Sequence, residues 1–192
     1  MPYQKFKDYL SSTQLVTEED CAFFEPYLKP KSYKAKDIFV KEGSISREIG
    51  FITKGAFRTY YILNGKEVNS CFFFENDFVV DYDSMLADAP SKYYIEAIED
   101  SEVLLFGADV LRDAYNKSHN WERFGRLMAE QTYSMSTQRV ESFLFMNGEE
   151  RYLKLQETNP VLFERVPLYH IASYLGIERE TLSRLRRKIA QG

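Results

Sequence analysis

The chain has 192 residues, of which 44% are apolar and 16% aromatic, and its formal net charge is −4. This composition excludes a largely disordered chain, and no apolar run approaches the roughly 18 residues that a membrane helix requires. The N-terminal MPYQKFKDYL contains no apolar signal-peptide core, so we expect a cytoplasmic protein.

Two short helices are predicted between residues 3 and 28, followed by a β unit. In the second helix, Thr17 is a suitable N-cap, acidic residues occupy the first turn, and Pro30 lies beyond the end. From Lys31 to Phe106 apolar and polar residues alternate, with Gly or Asn-Gly turns about every ten residues. The clearest hairpin is AFRTYYILNGKEVNSCFFF, where Asn64-Gly65 suits a type I′ turn.

The other candidate strands alternate in the same way and are KDIFV, EIGFIT, DFVVDY, YYIEAI and EVLLF. Seven or eight short strands within about 75 residues predict a sandwich or a small barrel. With the helices on either side, the predicted fold class is α+β.

A helix of roughly 26 residues is predicted from Trp121 to Met146, after a shorter one from Ala108 to Asn116. One seam with alternating spacings of three and four residues is only half apolar: Trp121, Phe124, Met128, Gln131, Met135, Gln138, Ser142 and Phe145. The seam is compatible with a helix packed on its own β unit or with a two-chain coiled contact. Asn147-Gly148 then ends the helix as a hinge or C-cap.

The remaining residues, 149–192, are predicted to be helical with one break at ETNPVLFERVP. Apolar stripes at helical spacing precede and follow Gly176; their members are Leu168, Ile171, Ala172 and Leu175, then Ile177, Leu182, Leu185 and Ile189. A helix, a turn with Gly and a second helix form a helix-turn-helix arrangement. The predicted domains are therefore residues 1–120, a long helix 121–147 and a helical domain 148–192.

The second helix of this pair leaves one polar face free, formed by Arg179, Glu180, Ser183, Arg186 and Arg187. From residue 177 onward five basic residues oppose two acidic ones, an excess of +3, so residues 1–176 carry −7. Arg can pair bidentately with guanine and Glu can accept from cytosine. The helix dipole alone would explain Arg187 and Lys188, but it disfavours Arg179 at the N-terminal end, which indicates an external anion or base edge.

This order of helices, β barrel, long helix and terminal helix-turn-helix resembles the Crp-Fnr family of bacterial transcription regulators over nearly the whole chain. The most specific piece is Arg179-Glu180-Thr181-x-x-Arg184, preceded by IASYLGI. The resemblance implies a cyclic-nucleotide-binding jelly roll, homodimers through the long helix, and binding of double-stranded DNA and RNA polymerase. It also implies that Arg179, Glu180 and Arg184 read bases while Thr181 and Ser183 lie near phosphates or the helix start.

Two features differ from the family. Members often continue into a two-stranded wing, which is not expected here. Their phosphate cassette has Gly-Glu-Leu and Arg-Ser/Thr-Ala, and these positions hold Val80, Asp81 and Tyr82, then Ser91, Lys92 and Tyr93. Because the glycine and the arginine are missing, we do not expect cyclic AMP to bind in the usual mode.

An effector pocket remains an open alternative. An effector more apolar than a cyclic nucleotide could be enclosed by the long helix and the rings of Phe72, Tyr82 and Tyr93, or these rings could fill the space themselves. On the long helix, Ser136 and Thr137 occupy positions at which nucleotide-binding family members have hydroxyls that meet the base. No cofactor is expected apart from such an unidentified small molecule.

Two further function classes were compared with DNA binding. In the first, a ligand sensor uses its terminal helices to bind a protein. In the second, a cupin-type enzyme would need clustered metal ligands, but His119 and His170 lie outside the predicted strands and Cys21 and Cys71 lack metal-site spacing. No enzyme and no metal are therefore expected, and His170 is predicted to be a surface or phosphate contact.

Overall fold

The computed structural model describes residues 2–190, and the side chains of residues 2–188. The chain divides into two compact units. The first runs up to Thr59 and resumes from Phe72 to Glu130, and the second comprises Tyr60–Cys71 and the chain from Gln131 onward. In this division the tip of a β hairpin groups with the C-terminal helices, and the predicted domains 1–120, 121–147 and 148–192 stay a prediction.

The N-terminal helices form as predicted. They are α1 Pro2–Ser12, α2 Glu18–Phe24 and a 3₁₀ turn Glu25–Tyr27. Thr17 and Asp20 form a capping box, in which the Thr17 hydroxyl accepts from the Asp20 N–H at 3.2 Å and the Asp20 carboxylate accepts from the Thr17 N–H at 2.9 Å. These bonds satisfy donors that the first turn of a helix leaves unpaired.

Eight strands follow in the described chain. They are β1 Lys29–Tyr33, β2 Ile38–Val40, β3 Glu48–Lys54, β4 Phe57–Leu63, β5 Lys66–Phe73, β6 Phe78–Val79, β7 Tyr94–Ala97 and β8 Ser101–Gly107. They form two four-stranded sheets with the orders β1-β8-β3-β6 and β2-β7-β4-β5. The orders 1-8-3-6 and 2-7-4-5 are those of a jelly roll, in which consecutive strands alternate between the sheets except for the β4–β5 hairpin, so the predicted sandwich is confirmed.

The hairpin turn also follows the sequence pattern. Asn64 and Gly65 both have positive φ, 52° and 75°, between β4 and β5. A type I′ turn requires positive φ at both central residues, and Asn and Gly adopt it at low cost.

Two segments differ from the prediction. Strand β1 was not among the predicted strands; it contains Pro30 and lies at the edge of its sheet, where a proline is tolerated. The predicted strand DFVVDY is wrong after Val79, because helix α3 Tyr82–Ala87 begins there with Asp81 as its N-cap.

The core of the first unit has two layers, one within the sandwich and one between a sheet and helices. Along β3, Ile52 packs in the sandwich and Phe51 packs against the helices, and both side chains are fully buried. The helix layer contains Trp121 and Phe124, which are 2% and 5% exposed, and Met128 packs against it. Of the residues predicted for the dimer helix, Trp121, Phe124, Met128 and Met135, the first two are therefore covered by their own chain, and Met128 is half-buried there.

The chain continues as α4 Ala108–Lys117, α5 His119–Phe145, α6 Gly148–Thr158, α7 Pro160–Arg165, α8 Leu168–Leu175 and α9 Arg179–Ala190. Asn147 is the N-cap of α6 and not a C-cap, because its Oδ1 accepts from the N–H groups of Glu149 and Glu150. The predicted break at residues 157–167 contains α7, which starts at a proline that suits the first helical turn. Within residues 2–190, no helix is both long and apolar enough to span a membrane.

Candidate nucleic-acid interface

A Schellman motif at Gly176 joins α8 to α9. The Ile177 N–H donates to the Ala172 carbonyl and the Gly176 N–H to the Ser173 carbonyl, both at 3.1 Å. Gly176 has a φ of +64°, and a Cβ there would lie 2.8 Å from the Phe143 ring. Glycine is required for both reasons, and the turn fixes the direction in which α9 leaves α8.

One face of the helix pair is buried within the second unit. Ile171 and Leu175 of α8 and Leu182 of α9 are at most 3% exposed, and Tyr152, Leu155 and Leu162 from α6 and α7 are also buried. This packing determines which face of α9 remains outside. The side chain of Ile189, predicted on the same stripe, lies outside the described residues.

The outer face of α9 is basic. Five of its side chains line one open surface depression: Arg179, Glu180, Ser183, Arg184 and Arg187. Arg186 and Lys188 are also exposed. The structure thus brings together the α9 residues predicted to contact DNA.

Two contacts affect how these side chains can act. Arg184 donates from Nη2 to Thr181 Oγ1 at 3.3 Å, so Thr181 helps to orient an arginine predicted to read bases. Lys188 forms an ion pair with Glu149 at 2.8 Å. A phosphate at Lys188 would therefore compete with Glu149 for the same ammonium group.

His170 is not at the surface. Its side chain is 5% exposed, and Nδ1 lies 3.3 Å from the Asn69 side-chain nitrogen, Nδ2. The prediction of a surface or phosphate contact is therefore wrong. His119 is exposed at the start of α5, next to Glu122, so both histidines lie outside the strands as predicted.

Sequence analysis missed two arginines that bind helix-end carbonyls. Arg139 Nη2 donates to the Tyr174 carbonyl at 2.9 Å, and Arg151 Nε donates to the Leu175 carbonyl at 3.0 Å. Both guanidinium groups lie over the Phe143 ring. The last carbonyls of a helix lack intrahelical partners, so these contacts fix the end of α8. The polar pattern of a helix does not indicate which distant backbone carbonyl one of its arginines will bind.

Arg139 also stacks on the Tyr174 ring, 3.8 Å from its centroid. Burial raises the pKa of the Tyr174 phenol, although the Arg139 charge opposes this effect. Tyr174 is therefore neutral at physiological pH, and the contact is between a cation and a neutral aromatic ring.

The residues at the cassette positions form internal contacts in the first unit. Asp81 is 1% exposed, and its Oδ1 accepts from the Ser84 N–H at 3.0 Å and from the Tyr93 hydroxyl at 2.8 Å. Its Oδ2 is buried without a hydrogen-bond partner among the described residues. The position that the resemblance assigns to the phosphate cassette thus holds a buried carboxylic acid side chain.

The other predicted effector residues differ in exposure. Ser91 is buried, with its N–H bonded to the Ser44 carbonyl, whereas Lys92 and Tyr82 are exposed. Phe72 and Val80 are half-buried. The hydroxyl residues Ser136 and Thr137 are exposed on the part of α5 that belongs to the second unit.

That second part of α5 exposes large apolar side chains. Tyr133, Val140 and Leu144 are 75%, 57% and 69% exposed, and they recur at spacings of seven and four. Met135 is 58% exposed on another side of the helix. The Tyr133, Val140 and Leu144 stripe is a heptad-like pattern in a different register from the predicted seam.

Comparison with known proteins found a matching family model for part of the chain and several solved structures with a similar fold. Residues 30–118 match the family model of the cyclic nucleotide-binding domain. Over most of its length the chain is similar in fold to solved structures of Crp/Fnr regulators. FixK2 from Bradyrhizobium japonicum superposes with a TM-score of 0.75 at 20% identity, over 85% of each chain.

Two further solved structures are similar. A transcriptional regulator assigned to the crp/fnr family from Eubacterium rectale gives a TM-score of 0.70 at 17% identity, over 95% of this chain and 88% of its own. The c-di-GMP responsive global regulator CLP from Xanthomonas campestris gives 0.67 at 13% identity, over 91% of this chain and 92% of its own. No curated protein sequence matches significantly. These neighbours are regulators, and none is described as an enzyme.

Proposed function

We propose that the chain is a sequence-specific, DNA-binding transcription regulator of the Crp-Fnr type. The observation that carries this proposal is the exposed face of α9, where Arg179, Glu180, Ser183, Arg184 and Arg187 surround one depression. Arginine and glutamate can read base edges, while flanking basic and hydroxyl groups can contact phosphates. The Crp/Fnr fold and its regulator neighbours support this role over an enzymatic one.

The regulator is proposed to act as a homodimer. The exposed stripe of Tyr133, Val140 and Leu144 can pair with its counterpart in a second copy. Two copies related by a twofold axis would present two α9 helices to half-sites about 34 Å apart, one turn of DNA. The expected operator is therefore nearly palindromic. RNA polymerase is a further proposed partner of the DNA-bound dimer.

Cyclic AMP is not proposed as the effector in its usual mode. A cyclic phosphate at the cassette would meet the buried Asp81 carboxylate, whose Oδ2 already lacks a partner in the described chain. Two buried negative charges in contact are strongly unfavourable. An effector of different chemistry, or none, fits these residues better, and no cofactor or metal is required.

A binding experiment over a salt series tests the function. Operators are first selected from random duplexes, and the affinity of the chosen duplex is then measured at several salt concentrations. We expect nanomolar-range binding that weakens steeply with salt, since basic groups displace counterions from phosphates. Selection of no common sequence, together with salt-independent binding, would contradict the proposal.

A second candidate is a sensor whose terminal helices bind a protein. Leu153, Val161 and Tyr169 are between 44% and 52% exposed on α6, α7 and α8, which favours contact with another apolar surface. The same duplex assay separates the candidates, because this sensor would bind no DNA even at low salt.

A further inference from the structure

The connection between α5 and α6 is very short. Helix α5 ends at Phe145 and α6 begins at Gly148. The Met146 N–H still donates to a carbonyl of α5, at 3.2 Å, and the Asn147 carbonyl already accepts from an N–H of α6, at 3.0 Å. Each residue has only two soft backbone dihedrals, so a connection of this length has few ways to turn one helix relative to the other.

One arginine binds the ends of two helices at this connection. Nη1 of Arg151 donates to the carbonyl of Met146, just beyond α5, at 2.6 Å, and its Nε donates to the carbonyl of Leu175, the last residue of α8, at 3.0 Å. Carbonyls at the end of a helix lack intrahelical partners and lie at the negative end of its dipole. A single cation therefore stabilises two helix ends and holds them together.

The ring of Phe143 lies between these helix ends. The guanidinium carbon of Arg151 is 4.5 Å from the centroid of this ring, and a Cβ on Gly176 would lie 2.8 Å from the same ring. The turn between α8 and α9 is thus packed directly against the last turns of α5. Stacking on the ring also restricts the orientation in which Arg151 can bind its carbonyls.

The start of α6 is equally close to the start of α9. A Cβ on Gly148 would lie 2.6 Å from Cγ2 of Ile177, two residues before α9. A Cβ on either Gly148 or Gly176 would also lie within 4.0 Å of Nη2 of Arg151. All these residues belong to the second compact unit, in the chain from Gln131 onward. Because this packing has no room for a methyl group, α6 cannot move relative to α9 without a rearrangement.

We infer that Arg151 is a positioning residue that holds the end of α5, α8 and α9 as one rigid body, so that the dimer accepts a single spacing between operator half-sites. This inference rests on the proposed DNA-binding function and its homodimer. Asn147-Gly148 is then a fixed joint, and not the hinge that the sequence alone predicts.

The rigid joint has a consequence for the operator. When the apolar stripes of two α5 helices pair, the distance between the two α9 helices is set by α5 and the joint alone. One additional base pair moves the half-sites about 3.4 Å apart and rotates one of them by roughly a tenth of a turn. Two rigidly held α9 helices cannot follow this change, so specific affinity is lost.

Arg151→Lys tests the joint, because lysine keeps the charge but lacks the planar group that binds two carbonyls at once. Phe143→Leu is the second variant; it removes the ring from a side chain that is 44% exposed and keeps an apolar residue. Arg126→Lys is the matched control, since Arg126 is exposed on α5 and forms an ion pair with Glu130 of the same helix.

Two measurements are made on the full-length chain. The first is the affinity for the selected operator and for operators whose spacer is one base pair longer or shorter. The second is amide hydrogen exchange of peptide 143–152, which spans the joint. A variant that has only lost stability weakens binding to all three operators by the same factor, and therefore leaves the ratio of their affinities unchanged.

We expect the wild type and Arg126→Lys to lose about a hundredfold in affinity when the spacer changes by one base pair. Arg151→Lys and Phe143→Leu are expected to lose only about tenfold, with exchange in peptide 143–152 about tenfold faster than in the wild type.

A wild type that binds all three spacers equally would overturn the inference, and so would an unchanged affinity ratio in Arg151→Lys or an equal change in Arg126→Lys. If the wild type binds no duplex at all, the proposed function fails and the role in spacing fails with it. Exchange in peptide 143–152 then still decides whether Arg151 holds the joint.

Discussion

Arg179 is the residue whose position is hardest to explain without DNA. It is exposed at the first residue of α9, where the positive end of the helix dipole repels a cation. It also borders the depression shared with Glu180 and Arg184. An external acceptor such as a guanine edge or a phosphate would offset this unfavourable position.

Arg179→Ala is predicted to weaken operator binding by about 1 to 3 kcal/mol and to relax the preference at one base pair, because a bidentate base contact is lost. Competition binding with single-substituted operators measures both effects. Lys154→Ala is the control, since it removes an exposed positive charge from α6 that does not line the depression on α9. Equal losses for both variants on all operators would contradict base reading by Arg179.

Lys188 shows how an internal partner can limit a phosphate contact. Glu149 lies 2.8 Å from its Nζ, so DNA must compete with an ion pair. Glu149→Gln is predicted to strengthen binding to all duplexes and to steepen the salt slope by about one unit, because one more cation becomes available to phosphate. Glu157→Gln makes the same charge change without this ion pair, and an equal slope change there would refute the role of Glu149.

Among the elements, α5 changes its environment along its length. Its first part supplies Trp121 and Phe124 to the core of the first unit, whereas Tyr133, Val140 and Leu144 are exposed. Packing on its own chain, the first alternative for the long helix, is thus observed in its first half, and the two-chain contact stays a prediction. The first half packs on its own chain, and the second has an apolar stripe that suits another copy.

Val140→Asp is predicted to dissociate the dimer, because a charge in an apolar seam loses its solvation. Sedimentation velocity should show a monomer, with operator affinity reduced. Gln138→Asp places the same charge on the opposite side of α5, within the seam first predicted from the sequence. Dissociation by Gln138→Asp instead of Val140→Asp would assign the contact to that seam.

At the scale of the whole molecule, charge is distributed so that one region can approach DNA. Residues 1–176 carry −7, whereas the segment from residue 177 carries +3. The acidic part repels a phosphate backbone and therefore restricts docking to the basic helix. The same part contains the buried Asp81, and this is why we propose that cyclic AMP does not bind there in its usual mode.

Cyclic AMP is predicted to leave the melting temperature unchanged, whereas a ligand at 100 times its Kd would add about 2.7 kcal/mol of stability. Adenosine is the matched control because it lacks the phosphate. A rise in melting temperature with adenosine alone would indicate that repulsion by Asp81 prevents cyclic AMP from binding. An unchanged melting temperature with both ligands would favour a pocket that the protein's own side chains fill. Stoichiometric heat of cyclic AMP binding in calorimetry would disprove the prediction.

The sequence by itself determined the features that depend on neighbours a few residues apart. The Thr17 cap, the Asn64-Gly65 turn, the alternating strands and the basic face of α9 were all predicted, because each follows from local backbone geometry or periodicity. Only the tertiary structure decided the burial of His170, which meets Asn69 across 101 residues, and the targets of Arg139. It also decided that Trp121 belongs to a core and that Asp81 is enclosed. These outcomes depend on which distant groups meet in space, and no spacing along the chain encodes that.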